Sequence, residues 1–241
     1  MRLGIMQPYF FPYLGHFALI AAVDEWVVFD VTQYTPKTWM NRNRILHPKE
    51  GWQYVTVPLA NSSVSIKTHE ARVLNLADAK TSLLGKLSTF RRHAPFHAEV
   101  TRLVQSTFER TESDSLCALN VNALRAVCEY IELPFSSRVC SELELEFPDQ
   151  MGAGDWAPLI CNALGATEYV NPIGGRDLFD PASFERIGVS LLFAGFDELK
   201  YEPSPFQYEP HLSVLDVLLW NAPDKVARAL RNHTVLHHAS A

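Results

Sequence analysis

Two loops near the start of the chain hold more polar and aromatic side chains than a hydrophobic core needs. The first, 7–16, reads QPYFFPYLGH, and the second, 30–44, reads DVTQYTPKTWMNRNR. Histidine and aspartate side chains accept protons, whereas guanidinium groups bind carboxylate or phosphate oxygens. These residue types therefore indicate a site that binds a small anionic molecule and transfers a proton.

His16 is the candidate base of the first loop, because with Gly15 it opens a predicted helix. The partial positive charge of a helix N-terminus disfavours a protonated imidazole, so His16 would be a neutral hydrogen-bond partner or a base. A packed core histidine beside aromatic rings is the alternative. Gln7, Tyr9 and Tyr13 are candidate substrate-binding residues of the same loop.

Asp30 is the candidate catalytic carboxylate of the second loop, since it follows the apolar run 26–29. A carboxylate in this position can orient a polar substrate or accept a proton from an amine nucleophile. Replacing Asp30 with alanine is expected to abolish turnover with little change in melting temperature. The substrate-binding candidates that follow it are Gln33, Tyr34, Lys37 and Trp39.

The stretch Asn41-Arg42-Asn43-Arg44 has the alternation of a strand, with both asparagines on one face and both arginines on the other. If either face looks into a cleft, it forms a clamp for a carboxylate or a phosphate. An edge strand with arginines over solvent is the alternative. We expect this stretch and the tyrosine-rich first loop to line one cavity.

Gly174 and Gly175 follow a predicted strand, where glycine lets a backbone approach a ligand closely, although ordinary turns look similar. No metal site is predicted, because Pro95 interrupts the i, i+4 pair His93 and His97. The spacing of Ser213 and Asp216 favours a helix cap over a functional carboxylate.

Strand, loop, helix and strand in succession over the first 30 residues are typical of a βαβ unit, and ligands usually bind beyond the carboxyl ends of such strands. Strands at both ends surround a helical middle of about 76–133. The pattern predicts a single α/β domain, 1–241, with a three-layer, mostly parallel, Rossmann-like sheet and a helical insertion. A hairpin is predicted around 43–59, an extended segment at 64–74 and a frayed tail at 233–241. Further helices are predicted at 155–163, 184–187, 213–220 and 224–231.

Net charge and hydropathy exclude several classes of protein. The 241 residues have a formal net charge of −6 and a pI near 5.8, which argues against a protein that coats nucleic acid. No apolar run reaches the roughly 20 residues that span a bilayer, and no signal peptide is evident. The four cysteines lack metal or disulfide spacing. We expect a cytoplasmic protein with no membrane or nucleic-acid partner.

The two loops resemble the WbqC-like protein family, and the likeness continues along nearly the whole chain. It includes Ser136-Ser137, the run 164–169, Gly174-Gly175 and Leu212-Ser213. Val31 stands where family members often have a second aspartate, so a carboxylate pair is not expected there. The resemblance implies an acyl or aminoacyl transferase, glycyl included, that forms an amide on an amine of a sugar or specialised metabolite. The donor would be a thioester of coenzyme A or of an acyl carrier, or an adenylate, and the sequence identifies neither the donor nor a cofactor.

A second likeness concerns Pro12-Tyr13-Leu14-Gly15-His16, which is similar to the HxGH region of nucleotidylyltransferase-type enzymes. Tyr13 takes the place of the first histidine. This likeness leaves a nucleotide-dependent ligase or nucleotidylyltransferase open as an alternative, and a non-catalytic ligand-binding protein as a third reading.

Overall fold

The computed structural model describes residues 1–239. Its strands, in chain order, are β1 (Arg2–Met6), β2 (Glu25–Val28), β3 (Arg42–Leu46), β4 (Trp52–Thr56), β5 (Leu59–Asn61), β6 (Arg72–Val73), β7 (Ser137–Val139), β8 (Glu168–Pro172), β9 (Ser190–Phe196) and β10 (Thr234–His238). Its α-helices are α1 (Leu14–Ala21), α2 (Leu76–Leu87), α3 (His97–Glu109), α4 (Leu116–Tyr130), α5 (Trp156–Ala163), α6 (Pro181–Glu185), α7 (Val214–Trp220) and α8 (Pro223–Asn232).

Six strands form the central sheet in the order β10-β9-β8-β1-β2-β7, and all neighbours except β10 and β9 run parallel. The prediction of a mostly parallel α/β sheet is therefore confirmed. The predicted frayed tail is wrong, because Thr234–His238 pairs antiparallel with β9. Thr234 and Leu236 of this strand are half-buried, whereas the other side chains are exposed, as is usual for a short strand at the edge of a sheet. Ser240 and Ala241 lie outside the described residues.

Both faces of the sheet are buried, and successive residues of a strand point to different cores. Val27 packs in one apolar cluster with Ile160 of α5 and Phe184 of α6. Its neighbours Trp26 and Val28 belong to a larger cluster with α1, α7 and α8. Burial on both faces explains why these strands are continuous apolar runs without alternation.

The predicted hairpin is confirmed, since β3 and β4 pair antiparallel from Arg42 opposite Thr56 to Leu46 opposite Trp52. The predicted second strand is interrupted after Thr56, where Pro58 has no N–H group to donate to a sheet. The chain resumes as β5, which pairs with β6. Only the last part of the expected extended segment 64–74 is therefore a strand, and 68–70 forms a 3-10 turn.

The expected helical insertion consists of α2, α3 and α4, all of which contribute to the larger core. The first of these helices, α2, ends at Leu87, and the chain continues as a 3-10 turn over 88–90. The helix α6 begins earlier than expected, at Pro181, because the Asp180 side chain caps it. Among residues 1–239, no helix combines the length and the apolar character that crossing a membrane requires.

Asp216 of α7 connects this helix to the hairpin, and the predicted role as a helix cap is wrong. Its Oδ2 accepts a hydrogen bond from the Leu46 N–H at 2.7 Å, and its Oδ1 accepts one from the Tyr201 hydroxyl at 2.9 Å. Ser213 caps the helix alone, through its Oγ and the Leu215 N–H. Burial raises the pKa of Asp216 to about 6, although these hydrogen bonds act in the opposite direction.

Candidate functional site

A cavity with a volume of about 1080 Å³ lies beyond the carboxyl ends of β1 and β2. We call it the main cleft. Three segments wall it: the start of the loop after β2, the segment 64–69, and the loop 140–156. A pocket of about 310 Å³ adjoins it beyond β1 and β8, and the two share Gln7, Phe29 and Trp156. Ligands of parallel sheets bind at this end of the strands.

Gln7 and Gln33 are the predicted substrate-binding residues that line the main cleft. The Gln7 amide donates to Thr32 Oγ1 at 3.4 Å, and the Gln33 amide donates to the Val64 carbonyl. Both side chains therefore help to hold the walls, and each retains a free amide oxygen for a ligand.

Asp30 lies behind the wall of the main cleft and is only 1% exposed. Its Oδ1 accepts from the Ser141 N–H at 2.9 Å, and its Oδ2 accepts from the Ser141 hydroxyl at 2.7 Å. The Cys117 thiol is 3.7 Å from Oδ2. Burial and then the charge of Asp30 raise the pKa of Cys117, so the thiol stays protonated and donates. Asp30 positions Ser141 and does not line the main cleft, but it borders, with His69 and Ser141, a smaller cavity of about 370 Å³.

His69 is the imidazole that the main cleft contains, and the sequence patterns did not single it out. Its backbone N–H and its Nδ1 both contact the Asp30 carbonyl oxygen, at 2.9 and 3.2 Å. Because a carbonyl oxygen only accepts, this contact places a proton on Nδ1. Ser141 and His69 both line the main cleft, so a hydroxyl-bearing side chain and an imidazole border it.

A separate cavity of about 320 Å³ is lined by aromatic residues from both loops, and we call it the aromatic cup. Its lining consists of Tyr9, Pro12, Tyr13, Trp39, Asn43, Arg44 and His211. The expectation that the tyrosine-rich loop and the Asn/Arg stretch line one cavity is thereby confirmed. Tyr9 also lines the pocket of about 310 Å³ beside the main cleft, so the aromatic cup and that pocket share this residue as a wall.

Asn43 forms the floor of the aromatic cup. Its Nδ2 donates to the carbonyl oxygens of Phe10 and Phe11, both at 3.0 Å, and Ser213 Oγ also donates to Phe11 at 2.7 Å. The Phe10 N–H donates in turn to the Trp39 carbonyl at 2.8 Å. Asn43 is buried, and its amide is hydrogen-bonded to the first loop and so orders that loop. The predicted contact with a ligand therefore falls to the other residues of the cup.

The two arginines of β3 have different surroundings. Arg44 lies over the rings of Trp39 and Trp52, 5.4 and 5.0 Å from their centroids, and lines the aromatic cup. Arg42 stacks on Tyr54 at 4.3 Å and lines neither the cup nor the main cleft. The predicted arginine clamp is thus reduced to one guanidinium.

Three other predicted substrate-binding residues lie outside the two cavities. Tyr34 is buried, and burial raises the pKa of its phenol. The Asn41 amide donates to the Val57 carbonyl at 3.1 Å. Lys37 is exposed, with a positive φ of 59°. These residues shape the second loop and its junction with the hairpin.

His16 is enclosed by the rings of Tyr9, Phe17 and Trp26, whose centroids lie 5.0–6.4 Å from its own. Burial lowers its pKa to about 3, so the imidazole is neutral. Its Nε2 has no hydrogen-bond partner among the described residues. His16 is therefore a packed core histidine, which was the alternative prediction. Its buried ring cannot serve as the base for a substrate in the main cleft.

Gly174 and Gly175 lie in a 3-10 segment after β8, and their surroundings differ sharply. A Cβ on Gly175 would stand 2.3 Å from Asn171 Oδ1, whereas one on Gly174 would meet nothing within 4 Å. Only Gly175 is therefore required to be small. It lines the pocket that adjoins the main cleft.

The four cysteines are free and buried. Burial raises the pKa of Cys128, Cys140 and Cys161 to about 12 in each case, which keeps the thiols protonated. Thiols in this state are poor nucleophiles. Within residues 1–239, three or more potential metal-binding side chains do not cluster anywhere.

The mostly parallel sheet defines an α/β protein, and the cleft at the carboxyl ends of its strands lies where proteins of this class usually bind ligands. The model of the WbqC-like protein family matches residues 7–228, and the chain belongs to this family. It is also similar to "Uncharacterized protein Rv1507c" of Mycobacterium tuberculosis, with 29% identity over 219 residues, 90% of this chain and 92% of the relative. No solved structure is a significant match.

Proposed function

We propose that this protein is an acyl or aminoacyl transferase that forms an amide on an amine of a sugar or specialised metabolite. The observation that carries the proposal is His69, whose Nδ1 is held on the Asp30 carbonyl while its Nε2 is left as a base at a large cleft. The resemblance to the WbqC-like family supports the same reaction class.

The proposed fold is a three-layer, Rossmann-like sheet. Numbered by chain order within the sheet, the strands run 3-2-1-4-5-6 from β7 to β10, which is the order of classic doubly wound proteins. The order reverses between β1 and β8, and ligands of such sheets bind at that switch point. The pocket containing Gln7 and Gly175 lies there.

The reaction balances with a thioester of coenzyme A or of an acyl-carrier protein as the donor. The amine nitrogen attacks the thioester carbonyl, a C–N bond forms and the C–S bond breaks. His69 Nε2 takes the proton that the amine loses and returns it to the departing thiolate. In this proposal the second N–H of the Gln7 amide contacts the carbonyl oxygen, because both donors of Ser141 are already bonded to Asp30, and the exposed Lys67 at the cleft contacts phosphates of the donor. Such donors suit a cytoplasmic location, where cysteines remain reduced.

The test is thioester turnover by the purified protein with acyl and glycyl thioesters and D-glucosamine. Released thiol is measured by absorbance and the amide by mass spectrometry. Replacing His69 with glutamine is expected to lower turnover about 100-fold or more. The matched control is His238→Gln, since His238 is exposed on β10. Full activity of His69→Gln would overturn the assignment, and no amide with any donor would overturn the function.

A second candidate is a nucleotide-dependent ligase or nucleotidylyltransferase, which the strand order and the switch-point pocket favour. Its sequence basis was His16, which is enclosed by aromatic rings. Calorimetry with ATP and CTP, with and without Mg²⁺, tests it, and binding at the pocket would favour it over thioester chemistry. Binding of substrates without any product would instead favour a non-catalytic pathway protein.

A further inference from the structure

The aromatic cup has the composition of a binding site in its own right. Tyr13 and Trp39 are each 40% exposed, although large aromatic side chains usually bury most of their surface. Both line a cavity of about 320 Å³, near the lower limit of volumes that hold small ligands. Exposed aromatic rings around a concave surface are typical of ligand recognition.

Strained backbone is concentrated around this cavity. Among the described non-glycine residues with positive φ are Phe11 at 38°, Lys37 at 59° and His211 at 54°. His211 lines the cup, Phe11 adjoins Pro12 and Lys37 is two residues from Trp39. Such conformations persist only where the surroundings enforce them, and they cluster at binding sites.

Side chains from three parts of the chain enforce these conformations. Asn43 and Ser213 hold the Phe11 carbonyl, and Arg44 Nη2 donates to the His211 carbonyl at 3.2 Å. Glu198 accepts from the His211 N–H and lies 3.5 Å from its Nδ1. The cup is therefore preorganised, which reduces the entropy cost of binding.

Arg44 supplies the charge of the cup. Its guanidinium lies over the rings of both Trp39 and Trp52, and these two cation–π contacts restrict its orientation. Its single side-chain hydrogen bond among the described residues goes to His211, and its buried Nε has no partner there. A guanidinium with unused donors and a restricted orientation matches a carboxylate or phosphate.

The remaining polar groups of the cup are hydroxyls and an imidazole, contributed by Tyr9, Tyr13 and His211. Burial raises the pKa of both tyrosines, so each hydroxyl is neutral and can donate or accept. Groups of this kind pair with a ligand that carries several hydroxyls of its own, whereas an apolar aromatic ligand would leave them unpaired.

We propose that the aromatic cup binds a pyranose ring bearing a carboxylate or phosphate group, with the ring against Trp39 and Tyr13 and the anion on Arg44. This inference rests on the proposed function in one respect: the cup would hold the sugar of the acceptor while its amine extends toward the main cleft through the pocket that shares Tyr9 with the cup. Binding at the cup itself needs neither a donor nor turnover.

Ligand-observed NMR and calorimetry on the full chain test the proposal with methyl β-D-glucuronide, glucose 6-phosphate, methyl β-D-glucoside and benzoate. Both anionic sugars are expected to bind at least about tenfold more tightly than the neutral glucoside, since a charge-assisted hydrogen bond contributes this much. Trp39→Ala is expected to weaken all sugars about tenfold. Arg44→Gln is expected to abolish the preference for anions.

Arg42→Gln is the matched control, because Arg42 lies on the same strand and stacks on a ring but does not line the cup. Arg44→Lys keeps the charge without the planar donors and should give an intermediate preference, whether or not Arg44→Gln folds. Tighter binding of benzoate, equal effects of Arg42→Gln and Arg44→Gln, or no binding at about 20 mM would each overturn the proposal. His69→Gln should leave binding unchanged while turnover falls, which separates this proposal from the transferase.

Discussion

The hydroxyl of Ser141 donates a hydrogen bond to Asp30 Oδ2 over 2.7 Å, although 111 residues separate the two along the chain. The same carboxylate accepts the Ser141 N–H, and the Asp30 carbonyl accepts His69. One residue at the end of β2 therefore positions both Ser141 and His69, the proposed base, at the main cleft.

Replacing Asp30 with alanine should lower the free energy of unfolding by about 2–4 kcal/mol, because the N–H and hydroxyl of Ser141 and the buried thiol of Cys117 lose their acceptor. Ser141→Ala should cost about 1–2 kcal/mol, since the backbone bond to Oδ1 survives. Urea unfolding measures both. An unchanged urea midpoint for Asp30→Ala, which the sequence pattern predicted, would show that the hydrogen bonds of Asp30 do not stabilise the fold.

The stability of the protein should depend on pH through Asp216, whose pKa of about 6 lies above the ordinary 3.8. Below about pH 4 the carboxyl is neutral in both states, so its burial has no ionisation cost. Between about pH 4 and 6 the unfolded chain ionises first and stability falls. Above about pH 6 the free energy of unfolding is lower by about 3 kcal/mol than it is below pH 4, and this difference no longer changes with pH. Asp216→Asn should lack this fall, and parallel stability curves for the two proteins would argue against the assignment.

His16 should have the opposite pH dependence, because its folded pKa of about 3 is below the ordinary 6.5. Below about pH 6.5 the unfolded chain gains a proton that the folded protein cannot accept, so stability falls on acidification by up to about 1.4 kcal/mol per pH unit. His16→Phe should remove this slope, whereas His238→Phe at an exposed position should not. Chemical unfolding between about pH 4 and 7 compares them.

Replacing the Asn43 amide with a charged acceptor should destabilise the protein more than removing the side chain altogether. Asn43→Asp places a carboxylate against the carbonyl oxygens of Phe10 and Phe11 and removes both hydrogen bonds, so it should destabilise more than Asn43→Ala, by about 3 kcal/mol or more. Asn122→Asp, at a half-buried position on α4, is the comparison. Thermal unfolding decides, and equal melting temperatures for both Asn43 variants would show that repulsion between a carboxylate and the two carbonyl oxygens is unimportant.

Two adjacent glycines offer a matched pair. Gly175→Ala forces Asn171 away from Gly175 and disturbs its hydrogen bond to the Tyr169 hydroxyl, so a loss of about 1–3 kcal/mol is expected. Gly174→Ala meets open space and should be neutral within about 0.5 kcal/mol. Denaturant midpoints of the two variants measure the difference. If both were neutral, the close approach at Gly175 would not be a constraint.

Local patterns in the sequence determined the parallel strands, the β3–β4 hairpin and the helices, because hydrophobic periodicity and prolines act over a few residues. They also identified the two loops whose residues line the aromatic cup. Local pattern could not separate Arg42 from Arg44, since both lie on one face of β3 and only packing against Trp39 and Trp52 distinguishes them.

Tertiary structure alone decided which groups reach the cavities. Asp30 and His16 were reasonable catalytic candidates by type and position, but long-range packing buried both and brought His69 and Ser141 to the cleft instead. Those two residues are separated by the whole helical insertion, and no short-range signal links them. Burial of a charge or an imidazole depends on contacts between distant segments, and such contacts exist only once the chain has folded.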